Sequence, residues 1–352
     1  MSVVDDVVSV RLDDEKNALI ILDQTLLPGE TKYLTLTTQQ QIWDAIYRLQ
    51  VRGAPAIGIA AAYGVYLAAK ESSATEWTAL HAEFTEARKF LASARPTAVN
   101  LFWALDRMQR CLDDCEGQPV DRCKAALLAE AHAIREEDEQ VCKTIGENAL
   151  ALLRPGMGLL THCNAGTIAT AKYGTALAPI YLGQDRGYGF HVFADETRPL
   201  LQGARLTAWE LHQAGVDVTL LCDDMCSIVM KNGWVDACLV GCDRVAANGD
   251  TANKIGTSTL SIVARRYGVP FYVCAPTSTI DMNCTSGNDI QIELRQGSEI
   301  STLWYKTPQA PAGIKAYNPA FDVTDNEFIT AIITEKGVVY PPFERGLAEI
   351  MK

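Results

Sequence analysis

From residue 158 the chain reads GLLTHCNAG, a short apolar run that ends in polar and small residues. Similar apolar runs recur through the second half of the chain, and segments with helical spacing lie between them. Strands that alternate with helices are typical of βαβ units, which build a parallel sheet covered by helices. The predicted strands are 158–162, 191–194, 217–222, 237–240 and 271–274, and the predicted helices are 167–179, 202–214, 225–232 and 255–267.

The first part of the chain has a different pattern. Apolar runs at 7–12 and 18–22 predict short strands, and the spacing of apolar residues over 38–153 is helical. A chain of 352 residues suggests about two domains. We therefore expect an α/β protein, with a mostly helical N-terminal domain at 1–120 that begins with short strands and a parallel-sheet domain at 121–352.

The charge balance disfavours nucleic acids and anionic membranes as partners. The chain has 43 acidic and 31 basic residues and a net charge of −12, and a negative surface repels polyanions. No basic N-terminal segment precedes an apolar one, and no apolar run approaches the ~20 residues that cross a bilayer. The eleven cysteines include no Cys-x-x-Cys pair, which favours reduced thiols in core positions. We expect a cytoplasmic protein.

Two reactive side chains follow predicted strands. Cys163 comes directly after strand 158–162, and Asp243 comes shortly after strand 237–240. Ligands of open parallel sheets bind beyond the carboxyl ends of the strands. A thiol at a helix start ionises more easily, and a carboxyl beside an apolar strand keeps its proton more firmly, so the two could form an acid–base pair. A structural cysteine in a turn, and an Asp243 that caps a loop or pairs with Arg244, are the alternatives.

Single basic residues stand near several predicted helix starts. Arg52 precedes the sequence GAPAIG, Arg95 precedes a proline, and Lys254 follows a turn-rich stretch. Arg198 and Arg205 follow another predicted strand. A helix start with free N–H groups and a nearby cation suits a phosphate, although each arginine could instead form a surface ion pair. Because the chain lacks P-loop spacing, a Gly-x-Gly-x-x-Gly after a strand and metal-ligand spacing of histidines, we expect no cofactor and no metal.

Four longer motifs, at 52–58, 161–166, 196–211 and 241–257, resemble the methylthioribose-1-phosphate isomerase family. That family is related to the regulatory subunits of the translation initiation factor eIF2B. The resemblance extends over nearly the whole chain. It implies a small N-terminal domain, a Rossmann-like C-terminal catalytic domain, a homodimer, and a reaction without organic cofactor or metal.

The resemblance also implies roles for individual residues. Cys163 matches the family's catalytic cysteine, and Asp243 matches its proton donor. The chain departs from the family's usual pattern at Cys222, Cys226 and Cys242, which bears on the choice of sugar. The matched substrate-binding positions are Arg52, Gly53, Ala54, Arg95, Gln202, Asn253 and Lys254.

The implied reaction converts 5-methylthioribose 1-phosphate to 5-methylthioribulose 1-phosphate, a step of methionine salvage. In one route Asp243 protonates the ring oxygen while the Cys163 thiolate removes the C2 proton. In the other route hydride passes from C2 to C1. The sequence leaves both routes open.

The sequence leaves other functions to be distinguished from this isomerisation. An apolar pocket, for which residues 55–57 could supply a wall, separates a methylthio from a methyl group only weakly, so 5-deoxyribose 1-phosphate is the main alternative substrate. Ribose 1,5-bisphosphate would need a second basic cluster, and no clear one lies near the motifs. A non-catalytic eIF2B-like subunit would need neither Cys163 nor Asp243. A dehydrogenase would need the dinucleotide fingerprint.

Overall fold

The computed structural model describes residue 4, residues 7–96 and residues 98–352. Contacts among Cα atoms divide the chain into two compact units. The N-terminal unit comprises Val4–Val141 and Thr167–Gly174, and the C-terminal unit comprises Cys142–Gly166 and Thr175–Lys352. The division falls inside a long helix that begins at Val120, and the domain boundary expected near residue 120 stays a prediction.

The N-terminal unit begins with an antiparallel sheet of three strands. They are β1 (Val10–Asp13), β2 (Ala18–Leu22) and β3 (Tyr33–Leu36), in the order β1-β2-β3. Every residue of β2 is buried, as expected for an apolar run in the middle of a sheet. The strand predicted at 18–22 is confirmed, whereas the run at 7–12 forms a strand only from Val10.

Within the described residues, five α-helices complete the N-terminal part of the chain. They are α1 (Gln39–Tyr47), α2 (Ala54–Glu71), α3 (Trp77–Ala92), α4 (Val99–Asp113) and α5 (Val120–Leu150). Thr38 begins α1 with a capping box that includes Gln41. The helix α2 is buried over almost its whole length, as expected for a helix that is apolar on all sides. The helical pattern predicted over 38–153 is confirmed.

The C-terminal unit contains two sheets. The larger has β4 (Gly158–His162), β5 (His191–Asp195), β6 (Asp217–Leu221), β7 (Ala237–Val240), β10 (Phe271–Cys274), β13 (Ala331–Thr334) and β14 (Gly337–Val339). The smaller has β8 (Arg244–Ala246), β9 (Thr251–Lys254), β11 (Ile280–Asp281) and β12 (Phe321–Thr324). All five predicted strands are present in the larger sheet, and the smaller sheet was not predicted.

The larger sheet has the order β14-β13-β10-β7-β4-β5-β6, and its neighbours pair in parallel except β13 and β14. The chain starts at the central strand β4 and runs outward through β5 to β6. It then crosses back to β7, on the other side of β4, and continues outward through β10 and β13 to β14. This is the doubly wound order of a Rossmann fold, in which the winding reverses between two central strands. The predicted fold class is confirmed, and the reversal lies between β4 and β7.

Within the part of the chain that the structure describes, six further α-helices belong to the C-terminal unit. They are α6 (Ala178–Asp185), α7 (Ala208–Gln213), α8 (Cys226–Lys231), α9 (Thr257–Tyr267), α10 (Ser298–Ser301) and α11 (Phe343–Ile350). One core forms where α8, α9 and α11 pack on the sheet through buried residues such as Leu160, Val240 and Val273. No helix of the described residues is long and apolar enough to span a membrane.

The helix predicted over 167–179 is wrong. Thr167–Ala169 forms a single 3-10 turn, and the α-helix begins only at Ala178. Residues 167–174 instead belong to the N-terminal unit, where the N–H of Ala171 donates to Asp138 Oδ2 at 2.7 Å. This bond to a residue distant in sequence replaces the helical bond that the local pattern favoured.

Candidate functional site

The loops that carry Cys163 and Asp243 lie at the reversal point of the sheet. In the pairing of β4 with β7, His162 is the partner of Val240, so both loops leave neighbouring strand ends. A Cβ atom on Gly241 would come within 2.7 Å of Ala165 Cβ. The two loops therefore pack closely, as the sequence predicted, at the place where ligands of doubly wound sheets bind.

Cys163 has an unusual backbone conformation. Its φ is +67°, a region that non-glycine residues seldom adopt. Its N–H donates to Thr197 Oγ1 at 2.8 Å, and its carbonyl oxygen accepts from Thr207 Oγ1 at 2.6 Å. Cys163 is also buried, with 8% of its surface exposed. Backbone strain of this kind is concentrated at active sites and ligand clamps.

The surroundings of Cys163 and Asp243 differ in two respects from those expected. The α-helix start expected directly beyond Cys163 is replaced by the 3-10 turn Thr167–Ala169. Asp243 is exposed, so β7 does not desolvate its carboxyl group as the sequence suggested. The guanidinium of Arg244 donates to Asp281 at 3.0 Å, because β8 and β11 pair side by side.

A buried His–Asp pair lies directly before Cys163. His162 Nδ1 is 3.1 Å from Asp195 Oδ2, and both residues are almost completely buried. His162 Nε2 is 2.8 Å from the carbonyl oxygen of Ile255, so Nε2 must carry a proton. A Cβ on Gly256 would lie 2.8 Å from the imidazole. His162 thereby ties the end of β4 to the turn that precedes α9.

Burial and the mutual hydrogen bond act on the pKa values of this pair. Burial raises the pKa of Asp195 to about 6, although its hydrogen bond with His162 opposes the rise. For His162, burial alone would lower the pKa, but the hydrogen bond and the charge of Asp195 outweigh it and raise the pKa above its ordinary value. Because Nε2 donates to Ile255, the hydrogen bond between Nδ1 and Oδ2 needs a proton of its own, and both pKa shifts favour its retention.

The pair belongs to a cluster of possible metal ligands. Ligand atoms of His162, Asp195 and Asp223 lie within 4.8 Å of one another, which the sequence spacing did not suggest. Asp223 accepts the backbone N–H groups of Thr197 and Arg198, each at 2.7 Å. Hydrogen bonds between described residues thus explain why these three side chains lie close together. The expectation that the protein binds no metal stays a prediction.

Gln202 lies at the start of an irregular helix. A π-helical turn, Gly203–Thr207, follows Gln202 and continues into α7, and such turns are frequent at functional sites. Gln202 is buried, and its Oε1 atom has no hydrogen-bond partner among the described residues. A buried amide oxygen without a partner is costly, so Gln202 is well suited to accept a hydrogen bond from a ligand.

Asn253 and Lys254 are buried at the end of β9. The stretch before Lys254 was expected to be a turn, but β9 is a central strand that pairs with β8 and β12. Asn253 Nδ2 donates to Thr257 Oγ1 at 3.1 Å at the start of α9. Lys254 Nζ donates to the carbonyl oxygen of Ala320 at 2.9 Å. These bonds hold an amide and an ammonium group close to a helix N-terminus.

The remaining predicted ligand residues belong to the N-terminal unit. Gly53, at φ +91°, is the N-cap of α2, which begins at Ala54. A Cβ on Gly53 would lie 2.4 Å from Ala169 Cα, so only glycine allows this close approach. Arg52 directly precedes the N-cap residue Gly53, and Arg95 lies between α3 and α4. Both arginines are half-buried, and both stand near helix starts as predicted.

Two further arginines have structural partners instead of a phosphate site. Arg198 Nη2 donates to the carbonyl oxygen of Ile300 at 2.7 Å, and its guanidinium lies over the ring of Tyr305. The Arg205 guanidinium lies 4.8 Å from the ring centre of Trp304. These contacts attach the segment around α10 to the loop after β5. These contacts of Arg198 and Arg205 are thus with a carbonyl oxygen and aromatic rings, whereas the alternative considered from the sequence was a surface ion pair.

Sequence reasoning missed the groups that hold Cys163. Thr197 and Thr207 lie within the motif 196–211, where only the arginines and Gln202 were considered. Asp195 is the last residue of β5 and stands at a carboxyl end of a parallel strand. The carboxyl-end rule that selected Cys163 could have selected Asp195 as well.

Comparisons with known proteins show the family of this chain. The chain matches the profile of the Initiation factor 2 subunit family over residues 50–341. It is 66% identical to a Symbiobacterium thermophilum protein named methylthioribose-1-phosphate isomerase, covering 97% of this chain and 96% of that protein. It is 58% identical to a Petrotoga mobilis protein named 5-deoxyribose 1-phosphate isomerase, and the alignment covers 98% of this chain and 99% of that protein. The solved structure of 5-methylthioribose 1-phosphate isomerase from Pyrococcus horikoshii OT3 matches with a TM-score of 0.95 at 41% identity. The match covers 99% of this chain and 97% of that chain.

Proposed function

Because this chain belongs to the Initiation factor 2 subunit family, we propose that it is an aldose–ketose isomerase that converts 5-methylthioribose 1-phosphate to 5-methylthioribulose 1-phosphate. The observation that carries the proposal is the placement of Cys163. Its strained backbone stands at the reversal point of the sheet, beside the loop that carries Asp243. Relatives that align over nearly the whole chain have isomerase names, which supports the same reaction class.

The chemistry requires an acid and a base. The phosphate on the anomeric carbon prevents the sugar ring from opening spontaneously, so the ring oxygen must be protonated as its bond to C1 breaks. We assign that proton transfer to Asp243. In the first route the Cys163 thiolate removes the C2 proton, and the resulting enol regains a proton at C1 as C2 becomes the ketone. In the second route hydride moves from C2 to C1, and the two residues transfer only oxygen-bound protons. Each route moves one hydrogen from C2 to C1.

We propose that the substrate is bound by residues that include several buried polar groups. Gln202 offers a buried amide oxygen, and Asn253 and Lys254 offer buried donors near the start of α9. Buried donors and acceptors contribute more to transition-state stabilisation than exposed ones, since the local dielectric is low. The proposed substrate-binding residues are Arg52, Gly53, Ala54, Arg95, Gln202, Asn253 and Lys254.

The 5-substituent of the sugar is the least constrained part of the proposal. Of the expected apolar wall at residues 55–57, Ala56 and Ile57 are packed in the core of the N-terminal unit, and Pro55 is half-buried. The preference for the methylthio sugar therefore rests on the relative with 66% identity. The relative with 58% identity has the 5-deoxyribose name, which makes 5-deoxyribose 1-phosphate the second candidate.

A substrate panel tests the proposal. The kcat/KM values of 5-methylthioribose 1-phosphate, 5-deoxyribose 1-phosphate and ribose 1,5-bisphosphate would be compared by ketose formation. We expect the methylthio sugar to be best and the deoxy sugar to lag by ~1–3 kcal/mol in transition-state binding. Ribose 1,5-bisphosphate should have the lowest kcat/KM of the three sugars. Preference for the bisphosphate would contradict an apolar 5-substituent, and no turnover of any sugar would favour a non-catalytic subunit.

We also propose that the protein is a cytoplasmic homodimer. Strand β6 is an edge of the larger sheet, and the region around it exposes large apolar side chains. Such side chains are typical of subunit contacts when they are concentrated in one region. None of the eleven cysteines, all of which lie in the described part of the chain, forms a disulfide, and eight are buried. This is compatible with a reducing compartment. The exposed apolar residues of this region are Leu220, Met225, Ile228 and Trp234.

A further inference from the structure

We propose that Thr207 is a positioning residue of this reaction, which holds the backbone of Cys163 in its left-handed conformation through a hydroxyl bond to the Cys163 carbonyl oxygen. Thr197 holds the other side of the same residue through the Cys163 N–H. We call these two hydroxyl contacts the threonine clamp. The inference rests on the proposed function, since it assigns to the clamp the task of positioning the catalytic thiol.

The conformation of Cys163 requires such a clamp. A side chain with a Cβ atom at φ +67° is disfavoured by contact with its own backbone. Residues persist in such regions only when the surrounding structure over-determines them. Cys163 lies between one hydroxyl that accepts its N–H at 2.8 Å and another that donates to its carbonyl oxygen at 2.6 Å. Both hydrogen-bonding groups of its backbone are therefore held by side chains from distant parts of the chain.

Thr207 is placed by the π-helical turn. It is the last residue of Gly203–Thr207 and is completely buried. Its hydroxyl donates to the Cys163 carbonyl oxygen and accepts from Asn164 Nδ2 at 3.1 Å. Because its one proton is used in the bond to Cys163, Thr207 acts on the reaction through Cys163 and not by donating to the substrate.

Thr197 is itself held in a strained conformation. Its φ is +64°, an outlier for a β-branched residue. Its N–H donates to Asp223, and its hydroxyl contacts the carbonyl oxygen of Asp195 at 3.1 Å. The end of β5 thus supports one side of Cys163, and the π-helical turn supports the other. Two residues with strained backbones are thus hydrogen-bonded to each other, which indicates that the surrounding structure holds both in place.

The expected effect follows from the sensitivity of proton transfer to distance. A displacement of about 1 Å at the reacting groups can lower the rate by roughly 10²-fold. The clamp does not contact the sugar in this scheme, so binding should change little. We therefore expect Thr207→Val, which keeps the shape of the side chain but removes the hydroxyl, to lower kcat by ~10–10²-fold with KM nearly unchanged. Thr207→Ser, which keeps the hydroxyl, should restore most of kcat.

Thr334→Val is the matched control. Thr334 is also completely buried, its hydroxyl donates to the carbonyl oxygen of Gly337 at 3.0 Å, and it accepts the N–H of Lys336 at 3.1 Å. It lies at the turn between β13 and β14, outside the proposed catalytic residues. Its replacement should lower the melting temperature about as much as Thr207→Val does, and it should leave kcat unchanged.

A second measurement does not depend on turnover. The alkylation rate of Cys163 by iodoacetamide would be followed by peptide mass spectrometry, with completely buried Cys238 as internal reference. Release of the clamp should raise the rate at Cys163 but not at Cys238, because only the Cys163 loop loosens. A general loss of stability would raise both rates.

The outcomes separate the two proposals. Wild-type kcat and labelling in Thr207→Val would overturn the clamp, as would an equal loss of kcat in Thr334→Val. If Thr207→Val does not fold, Thr207→Ala serves as second variant, and failure of both to fold would mean that Thr207 supports folding instead of positioning. If the wild type turns over none of the sugars, the proposed function fails, while the labelling rates still decide whether Thr207 holds Cys163.

Discussion

Gly203 offers a stringent test of the arrangement around Cys163. It is buried at the start of the π-helical turn. A Cβ atom on Gly203 would lie 1.6 Å from the carbonyl oxygen of Asp195 and 2.9 Å from Thr197 Oγ1. These neighbours belong to the segment that supports Cys163. Gly203→Ala therefore forces the π-helical turn and the end of β5 apart.

The size of the effect follows from these distances. Ordinary Cβ contacts begin at about 3.4 Å, so the two backbones must separate by roughly 1.8 Å, more than the displacement of about 1 Å that can cost ~10²-fold in rate. A backbone oxygen cannot rotate away as a side chain can. We expect kcat/KM to fall by at least ~10²-fold and the free energy of unfolding to fall by about 3 kcal/mol, the upper part of the usual cost of overpacking.

The assay combines urea denaturation, followed by circular dichroism, with kcat/KM on the methylthio sugar. Gly187→Ala is the control in the same unit, because Gly187 has φ +73° and a Cβ atom there would meet no described residue within 4 Å apart from its chain neighbours. It should lose about 1 kcal/mol of stability through backbone strain and keep its activity. Wild-type kcat/KM in Gly203→Ala would refute the reasoning that the π-helical turn must approach β5 closely.

Four further predictions concern the site and the assembly. Cys163→Ser and Asp243→Asn should each lower kcat by at least ~10²-fold without changing the circular dichroism spectrum, and full activity in either would remove that residue from the mechanism. Burial raises the pKa of Asp195 from 3.8 to about 6, so its stabilising contribution is present below pH 3.8 and lost as the pH rises through 6. The hydrogen bond and charge of Asp195 outweigh burial and raise the pKa of His162 above 6.5. The contribution of His162 to stability is therefore also present at low pH and lost as the pH rises. The free energy of unfolding should therefore fall more steeply from pH 4 to 8 in the wild type than in H162Q/D195N, and parallel urea-denaturation profiles would contradict this. Turnover should survive exhaustive EDTA treatment and ignore added nicotinamide cofactors, whereas a loss restored by one metal would overturn the expectation. Ile228→Glu should shift the protein from dimer to monomer in size-exclusion chromatography with light scattering, and an unchanged dimer would move the proposed interface elsewhere.

The local pattern of the sequence determined the main strands and the position of the candidate pair. The runs 158–162, 237–240 and 271–274 coincide with β4, β7 and β10, because buried parallel strands are apolar throughout and end in turn residues. The carboxyl-end rule then selected Cys163 and Asp243 before any strand order was known. These features depend on neighbours in sequence, so the sequence alone was sufficient for them.

The tertiary structure decided the features that depend on distant partners. The polar sequence of β9 (Thr251–Lys254) is a strand only because β8 and β12 pair with it. Residues 167–174 leave their predicted helix because Asp138 binds the N–H of Ala171. The threonine clamp joins Cys163 to residues 34 and 44 positions away. A hydrogen bond of this kind forms only when two segments distant in sequence pack together in the folded chain. The local spacing of apolar residues contains no information about which distant segments pack together.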